Sequence, residues 1–228
     1  MEEKERNDLV TRHFSQFISD NRKETIEKVL GERTRYITMV MEDIYQSQNA
    51  SAVVRTCECM GLQDIHFIED ASKYSINPGV LKGSDKWIDL IKHKEKGVNT
   101  TEKCFEHLRH AGYTIYAMDP APEGKNIDEV PVDTKIALVM GNELKGISDY
   151  AQKHADGLVR IPMYGFTESL NISVSAAIGL NTLVPKIRQS SHAWRLTDEE
   201  KDNIRLKWYR KCVRNSALLE REFLRSIG

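Results

Sequence analysis

The sequence predicts an α/β domain on a mostly parallel sheet, with helical extensions on both sides. Three observations predict it. Short apolar runs alternate with stretches of three- and four-residue hydrophobic spacing. The segment from Tyr36 to Ile68 reads as strand, helix, strand within about the length of one βαβ unit. The run Lys135 to Met140 (KIALVM) is apolar after its lysine, as a strand buried on both faces must be.

Taken in order, residues 9–30 carry Leu9, Val10, Phe14, Phe17, Ile18, Ile26, Val29 and Leu30 at helical spacing, and Gly31 is the expected stop. Residues 36–41 (YITMVM) are the first strand. From Asn49 the pattern turns helical, with Ala52, Val53, Thr56, Cys57 and Met60 on one face and Gly61 at the end. Residues 65–68 (IHFI) are a second strand, and 72–98 show no clear period. Asn99 with Glu102 caps a helix to His110. Residues 113–118 (YTIYAM) are a third strand, 119–126 (DPAPEGKN) a loop, and 135–140 a fourth strand. A short helix around 150–154 leads to a fifth strand at 157–162. A loop, MYGFTES, opens a helix from about 170 to 187, and Thr197 with Glu200 forms a capping box for a last helical section. The organisation read from this is an N-terminal helical extension (1–35), an α/β domain (36–187) and a C-terminal basic helical extension (188–228).

Composition excludes several classes. Hydrophobic residues are 40% and charged residues 29%, which suits neither a disordered chain nor a membrane protein. The charged MEEKERND start has no signal-peptide core, and four cysteines give no C-x-x-C pair, so a soluble, reduced, cytoplasmic protein with no membrane partner is expected. The net charge of −1 is a cancellation: residues 1–35 balance, residues 36–185 carry −6, and residues 186–228 carry +5. A basic tail of this kind can engage a polyanion locally.

Familiar catalytic fingerprints are missing. No G-x-G-x-x-G follows the first strand, and Gly141 to Ser148 has Ile147 where a phosphate loop needs lysine. The seven histidines are scattered, and Cys57 and Cys59 point about 200° apart on a helix, so no metal is expected. Polar residues cluster instead in three loops that leave strands: Gln46 to Asn49 before the helix carrying Arg55, Gly141 to Glu143, and Met163 to Asn171. In open α/β sheets ligands bind beyond the strands' carboxyl ends. Each cluster also has a structural reading. Asn49 could be a helix N-cap, Arg55 a surface charge, Gly141 a turn glycine, and Ser169 and Asn171 caps.

Together the blocks Asn49-Ala-Ser-Ala-Val-Val-Arg55-Thr, Val139-Met-Gly-Asn-Glu143 with Gly146-Ile-Ser, and Ile161-Pro-Met163 followed by Ser169-Leu-Asn-Ile-Ser-Val-Ser resemble the three ordered motifs of the SPOUT RNA methyltransferases, within them the TrmH/SpoU tRNA guanosine 2'-O-ribose branch. Lys82-Gly-Ser84-Asp-Lys-Trp87 resembles that family's loop between the first two motifs. The resemblance implies a SPOUT fold with a C-terminal trefoil knot, a homodimer, and S-adenosylmethionine as cofactor. It implies that Met118, Gly141, Ile161 and Leu170 contact the cofactor. It places Asn49, Arg55, Glu143, Ser169 and Asn171 at catalytic or substrate-handling positions, with Arg55 either the proton acceptor or a phosphate-gripping group. The expected partner is tRNA, methylated at the ribose of guanosine-18 in the D-loop. The alternatives are ribosomal RNA, another tRNA position, or a non-catalytic RNA-binding dimer. The aromatic-lined C-terminal helices are expected to pack on the partner subunit and present Lys and Arg to RNA phosphates.

Overall fold

The structure, a computed structural model, describes residues 2–69, 77–95, 97–121 and 123–227. Parts of the irregular stretch 72–98 and of the loop 119–126 therefore lie outside the described residues. Contacts divide the chain into two compact units, residues 34–194 and residues 1–33 together with 195–228.

The larger unit holds seven strands among the described residues: β1 (Ile37–Glu42), β2 (Asp64–Ile68), β3 (Asp89–His93), β4 (Tyr113–Met118), β5 (Lys125–Asn126), β6 (Lys135–Met140) and β7 (Gly157–Arg160). They form one sheet in the order β3-β2-β1-β6-β4-β7-β5. Every pairing is parallel. The chain first winds outward through β1, β2 and β3. It then returns on the far side, with β6 inserted between β1 and β4. Side chains alternate across the sheet at the strand period of two. Ile37, Met39 and Met41 of β1, with Ile136, Leu138 and Met140 of β6, share one core with Val53, Val54, Leu180 and Leu183. Those last four come from α3 (Ser47–Cys59) and α7 (Ile172–Gln189), which pack together on that face. Val40, Ala137 and Val139 point the other way, into a core with Cys104, Phe105 and Leu108 of α5 (Thr100–His110) and Ala151 of α6 (Asp149–His154). A one-turn helix, α4 (Pro78–Leu81), lies against α3.

The smaller unit is helical: α1 (Glu3–Ser15), α2 (Asp20–Glu32), α8 (Asp198–Cys212) and α9 (Ser216–Ile227). Val10, Phe14, Ile26 and Leu30 are buried here with Ile204, Trp208 and Tyr209, and α8 contacts both α1 and α2. The aromatic face of α8 is thus buried within this chain's own helical unit, whereas α9 has no buried residue. Forked ion pairs reinforce it. Arg205 donates Nε and Nη2 to Glu27 at 2.5 and 2.8 Å, and Arg210 does the same to Glu220 at 2.8 and 2.7 Å.

Several local expectations need correction. The single helix expected over 9–30 is two, broken at 16–19, and Gly31 lies inside the second. The strand β3 falls in the stretch without a clear period, and β5 lies in the loop expected at 119–126. No helix among the described residues is long and apolar enough to cross a membrane.

Candidate active site

Beyond the carboxyl ends of β1, β4, β6 and β7 the loops enclose a cleft of about 600 Å³. It is lined by Gln46 and Asn49 after β1, Met118 to Pro120 after β4, the 141–146 loop after β6, and Ile161, Met163 and 168–172 after β7.

The loop after β6 is built to a tight shape. Asn142 and Gly146 exchange backbone hydrogen bonds of 2.8 and 2.9 Å. The Asn142 side-chain oxygen accepts from the Leu144 and Lys145 amides, while its Nδ2 donates to the Asp43 carbonyl at 2.7 Å. The loop folds so closely that a Cβ on Gly141 would lie 2.2 Å from the backbone of Gly146 and Ile147. Gly141 is therefore required by close approach of backbone to backbone, which only a residue without a side chain permits. At the far end of the same loop, Ser148 donates Oγ and its amide to Glu42, the buried last residue of β1, which also accepts from Thr101.

Glu143 binds this loop to the one after β1. Its carboxylate accepts from the amides of Tyr45 and Gln46 at 3.0 and 3.2 Å and from Asn49 Nδ2 at 3.0 Å. Burial pushes the pKa of Glu143 up. The hydrogen bonds from Asn49 and from the backbone amides outweigh it and hold the group below the usual carboxylate range. Glu143 is thus a fixed anion and a weak base. Asn49 is not a helix cap, since Gln46 occupies the N-cap of α3. Its carboxamide instead donates to Glu143 and accepts from Asn171 Nδ2 at 3.1 Å. Asn171 serves twice, because it also caps α7 by accepting from the Ser173 amide at 2.8 Å. One hydrogen-bonded chain, Glu143–Asn49–Asn171, therefore joins three segments far apart in sequence.

Of the other expected site residues, Met118, Gly141, Ile161 and Leu170 line the cleft, as does the exposed Ser169. Residues 163–170 make no hydrogen bond with the described residues, which leaves their main-chain donors and acceptors open to a ligand. Arg55 stands apart. It is exposed on α3, does not line the cleft, and makes no ion pair with the described residues. Asp119, Lys145 and Glu168, charges in loops, and Arg160, the last residue of β7, also line the cleft and carried no further signal in sequence. Among the described lining residues there is no histidine or cysteine.

The helical unit divides the basic tail. Lys201, Arg205 and Arg210 are in ion pairs. Arg214, Arg221 and Arg225 are exposed and make no ion pair with the described residues. Arg6, Arg221 and Arg225 line a groove of about 500 Å³ within that unit.

A parallel α/β sheet with a polar cleft at the loops beyond its strand ends defines a ligand-binding protein of the open-sheet class. More particularly, the SpoU rRNA Methylase family matches residues 36–181, and the chain belongs to that family. A relative from Borreliella burgdorferi, named tRNA (guanosine(18)-2'-O)-methyltransferase, is 45% identical over 91% of this chain and 93% of its own length. The crystal structure of the A. aeolicus TrmH/SpoU tRNA modifying enzyme superposes with a TM-score of 0.75 at 30% identity, over 86% of this chain and 98% of that one. The SpoU methyltransferase AviRb from Streptomyces viridochromogenes, solved in complex with AdoMet, shares the fold at a TM-score of 0.56 and 17% identity, over 72% of this chain and 62% of that one.

Proposed function

We propose that this protein methylates the ribose 2'-hydroxyl of a guanosine in tRNA, guanosine-18 of the D-loop, with S-adenosylmethionine as donor. The observation that carries the reading is the Glu143–Asn49–Asn171 chain, which ties all three motif blocks to one cleft. The 45% identical relative bears the name of this activity.

The cleft fits the cofactor. Its volume of about 600 Å³ lies in the ~300–1,000 Å³ range of sites for ligands of this size. Met118, Ile161 and Leu170 supply apolar contact, and the main chain of 163–170 supplies hydrogen-bonding groups of both kinds. When bound, the sulfonium supplies a methyl group already activated for displacement. The methyl would go to the ribose oxygen, leaving the donor sulfur as a neutral thioether, with the hydroxyl proton passing to solvent. The protein's contribution is then orientation, since the methyl donor needs no covalent activation by the protein. Asn49 and Asn171 position the reacting groups. Glu143, held ionised by its hydrogen bonds, orients Asn49 rather than taking the proton.

We further propose a homodimer, a trefoil knot in the C-terminal half, and a cytoplasmic setting. Among the described residues, six of the ten exposed large apolar ones (Tyr45, Leu144, Tyr164, Phe166, Leu170 and Val174) lie in the segments that form or border the cleft, which supports a partner there. In such a dimer Arg55, outside its own chain's cleft, serves the other protomer's cleft, as proton acceptor or by gripping a substrate phosphate. A guanidinium gives up a proton so reluctantly that the second role is favoured. Arg214, Arg221 and Arg225 meet tRNA phosphates.

The test is methyl transfer to total tRNA and to ribosomal RNA, followed by mapping of the ribose-methylated position. Methylation confined to guanosine-18 of tRNA is expected. Methylation of ribosomal RNA alone would replace the substrate, and no binding of S-adenosylmethionine by calorimetry would leave a non-catalytic RNA-binding protein.

A further inference from the structure

Three of the seven histidines, scattered in sequence, are brought together by the fold. In the β2–β3 register Ile68 lies opposite His93, so His66, two residues earlier on β2, projects from the same face as His93. That is the face covered by α5, which packs on both strands. On α5, Cys104 and His107 are three residues apart and share the side turned to the sheet edge. His66 Nδ1 and His93 Nε2 are 2.9 Å apart, and the donor atoms of His66, His93 and Cys104 all lie within 4.8 Å of one another. The His107 ring centre is 5.6 Å from that of His66 and 5.7 Å from that of His93. None of the four lines the cleft.

We propose that His66, His93, Cys104 and His107 form a tetrahedral zinc site that pins α5 to the edge of the sheet. Tetrahedral Zn²⁺ with bonds of ~2.0–2.1 Å to nitrogen and ~2.3 Å to sulfur sets its donors about 3.3–3.6 Å apart. The His66–His93 hydrogen bond would open by a few tenths of an ångström as the metal takes the place of the shared proton, which moves to the other nitrogen of its own ring. The thiol, and then the exposed His107 ring, would close in from α5. Imidazoles with one sulfur and no carboxylate in the set select a borderline transition metal over Mg²⁺ or Ca²⁺. Burial and the neighbouring rings keep His66 and His93 neutral, with lone pairs to give. Burial also holds the Cys104 thiol protonated, with Glu42 adding to the effect. As the zinc–sulfur bond forms, the thiol proton therefore passes to solvent. The assembled site carries one net positive charge, which the Glu42 carboxylate beside Cys104 offsets.

A packing-only reading, a buried hydrogen-bonded histidine pair, accounts for His66 and His93. It gives no reason for the Cys104 thiol to lie within 4.8 Å of both imidazoles, with the His107 ring beside them on the same helix.

The experiment uses the untagged full-length protein, stripped with chelator and dialysed, and titrated with Co²⁺ and then Zn²⁺. The expected result is saturation at one equivalent per chain, intense tetrahedral cobalt absorption with a thiolate charge-transfer band, and displacement of cobalt by zinc. Cys104→Ser should lose the charge-transfer band. His93→Gln and His107→Gln, at less buried positions, should each lower zinc affinity by about 100-fold or more. Zinc should raise Tm in the wild type and not in the double histidine variant, while methyl transfer per folded molecule stays unchanged. Absence of saturable binding at one equivalent, or affinity unaltered in both histidine variants, would overturn the site.

Discussion

Gly141→Ala tests whether the shape of the loop after β6 controls the cleft. The added Cβ would sit 2.2 Å from two backbone atoms, where ordinary contact begins at 3.4 Å, so the loop must open by about 1.2 Å. That movement takes the paired Asn142–Gly146 hydrogen bonds, now 2.8 and 2.9 Å, beyond bonding distance. Two hydrogen bonds at about 0.5–1.5 kcal/mol each amount to roughly 1–3 kcal/mol. Charged against a loop that must be closed to hold its ligand, this lowers affinity by about 5- to 150-fold. The assay is calorimetric titration with S-adenosylmethionine, alongside urea unfolding to show that the variant is folded. A folded variant that binds the cofactor with wild-type Kd would refute the argument that this loop's closure shapes the site.

Four other outcomes follow from the structure. Asn49→Ala should lower kcat by about 10- to 100-fold at unchanged tRNA affinity. Asn49→Asp should be worse at neutral pH, because its carboxylate would face Glu143 at the present 3.0 Å contact, and should recover as acid supplies a shared proton; identical pH–rate profiles for the two variants would contradict this. Glu143 has a depressed pKa, so the unfolded chain takes up that proton first. Its contribution to stability is present above about pH 4.5 and lost as pH falls below, and Glu143→Gln should flatten that acid limb in urea melts. Gln63 is fully buried and its amide atoms have no hydrogen-bond partner among the described residues, so Gln63→Met should raise stability by about 1 kcal/mol in the same measurement. Changing Arg214, Arg221 and Arg225 together to Glu should weaken tRNA binding and reduce its salt slope by about 2 to 3, whereas Arg205→Gln should cost stability through the lost Glu27 pair and leave the slope intact.

Much of the fold is legible because period and caps are local. β4 and β6 occupy the residues expected of them, 113–118 and 135–140, since each is an apolar run bounded by breakers. The Asn99 cap and the Thr197–Glu200 capping box are formed as read. β3 escaped because it is an edge strand, only partly buried, with charges at Asp89 and Lys92 where a central strand would be apolar. β5 is two polar residues whose only strand signal is their pairing with β7. The break between α1 and α2 escaped because apolar spacing continues across Phe17 and Ile18; Phe17 is in fact exposed.

The candidate site divides in the same way. The three blocks could be named from sequence because caps, glycines and carboxamides gather in loops after strands. That Asn49 bonds both Glu143 and Asn171, and is not a cap, could not. Nor could the exposure of Arg55 outside the cleft, or the meeting of His66, His93 and Cys104. The residues by themselves determined most of the strands and helices and the buried face of the apolar ones, because apolar spacing records burial at one point along the chain. Only the tertiary structure decided which element does the burying. Inserting β6 between β1 and β4 sets Glu143 beside Asn49, and laying α5 over β2 and β3 sets a thiol beside two imidazoles. Both are consequences of strand order, and strand order leaves no period in the sequence.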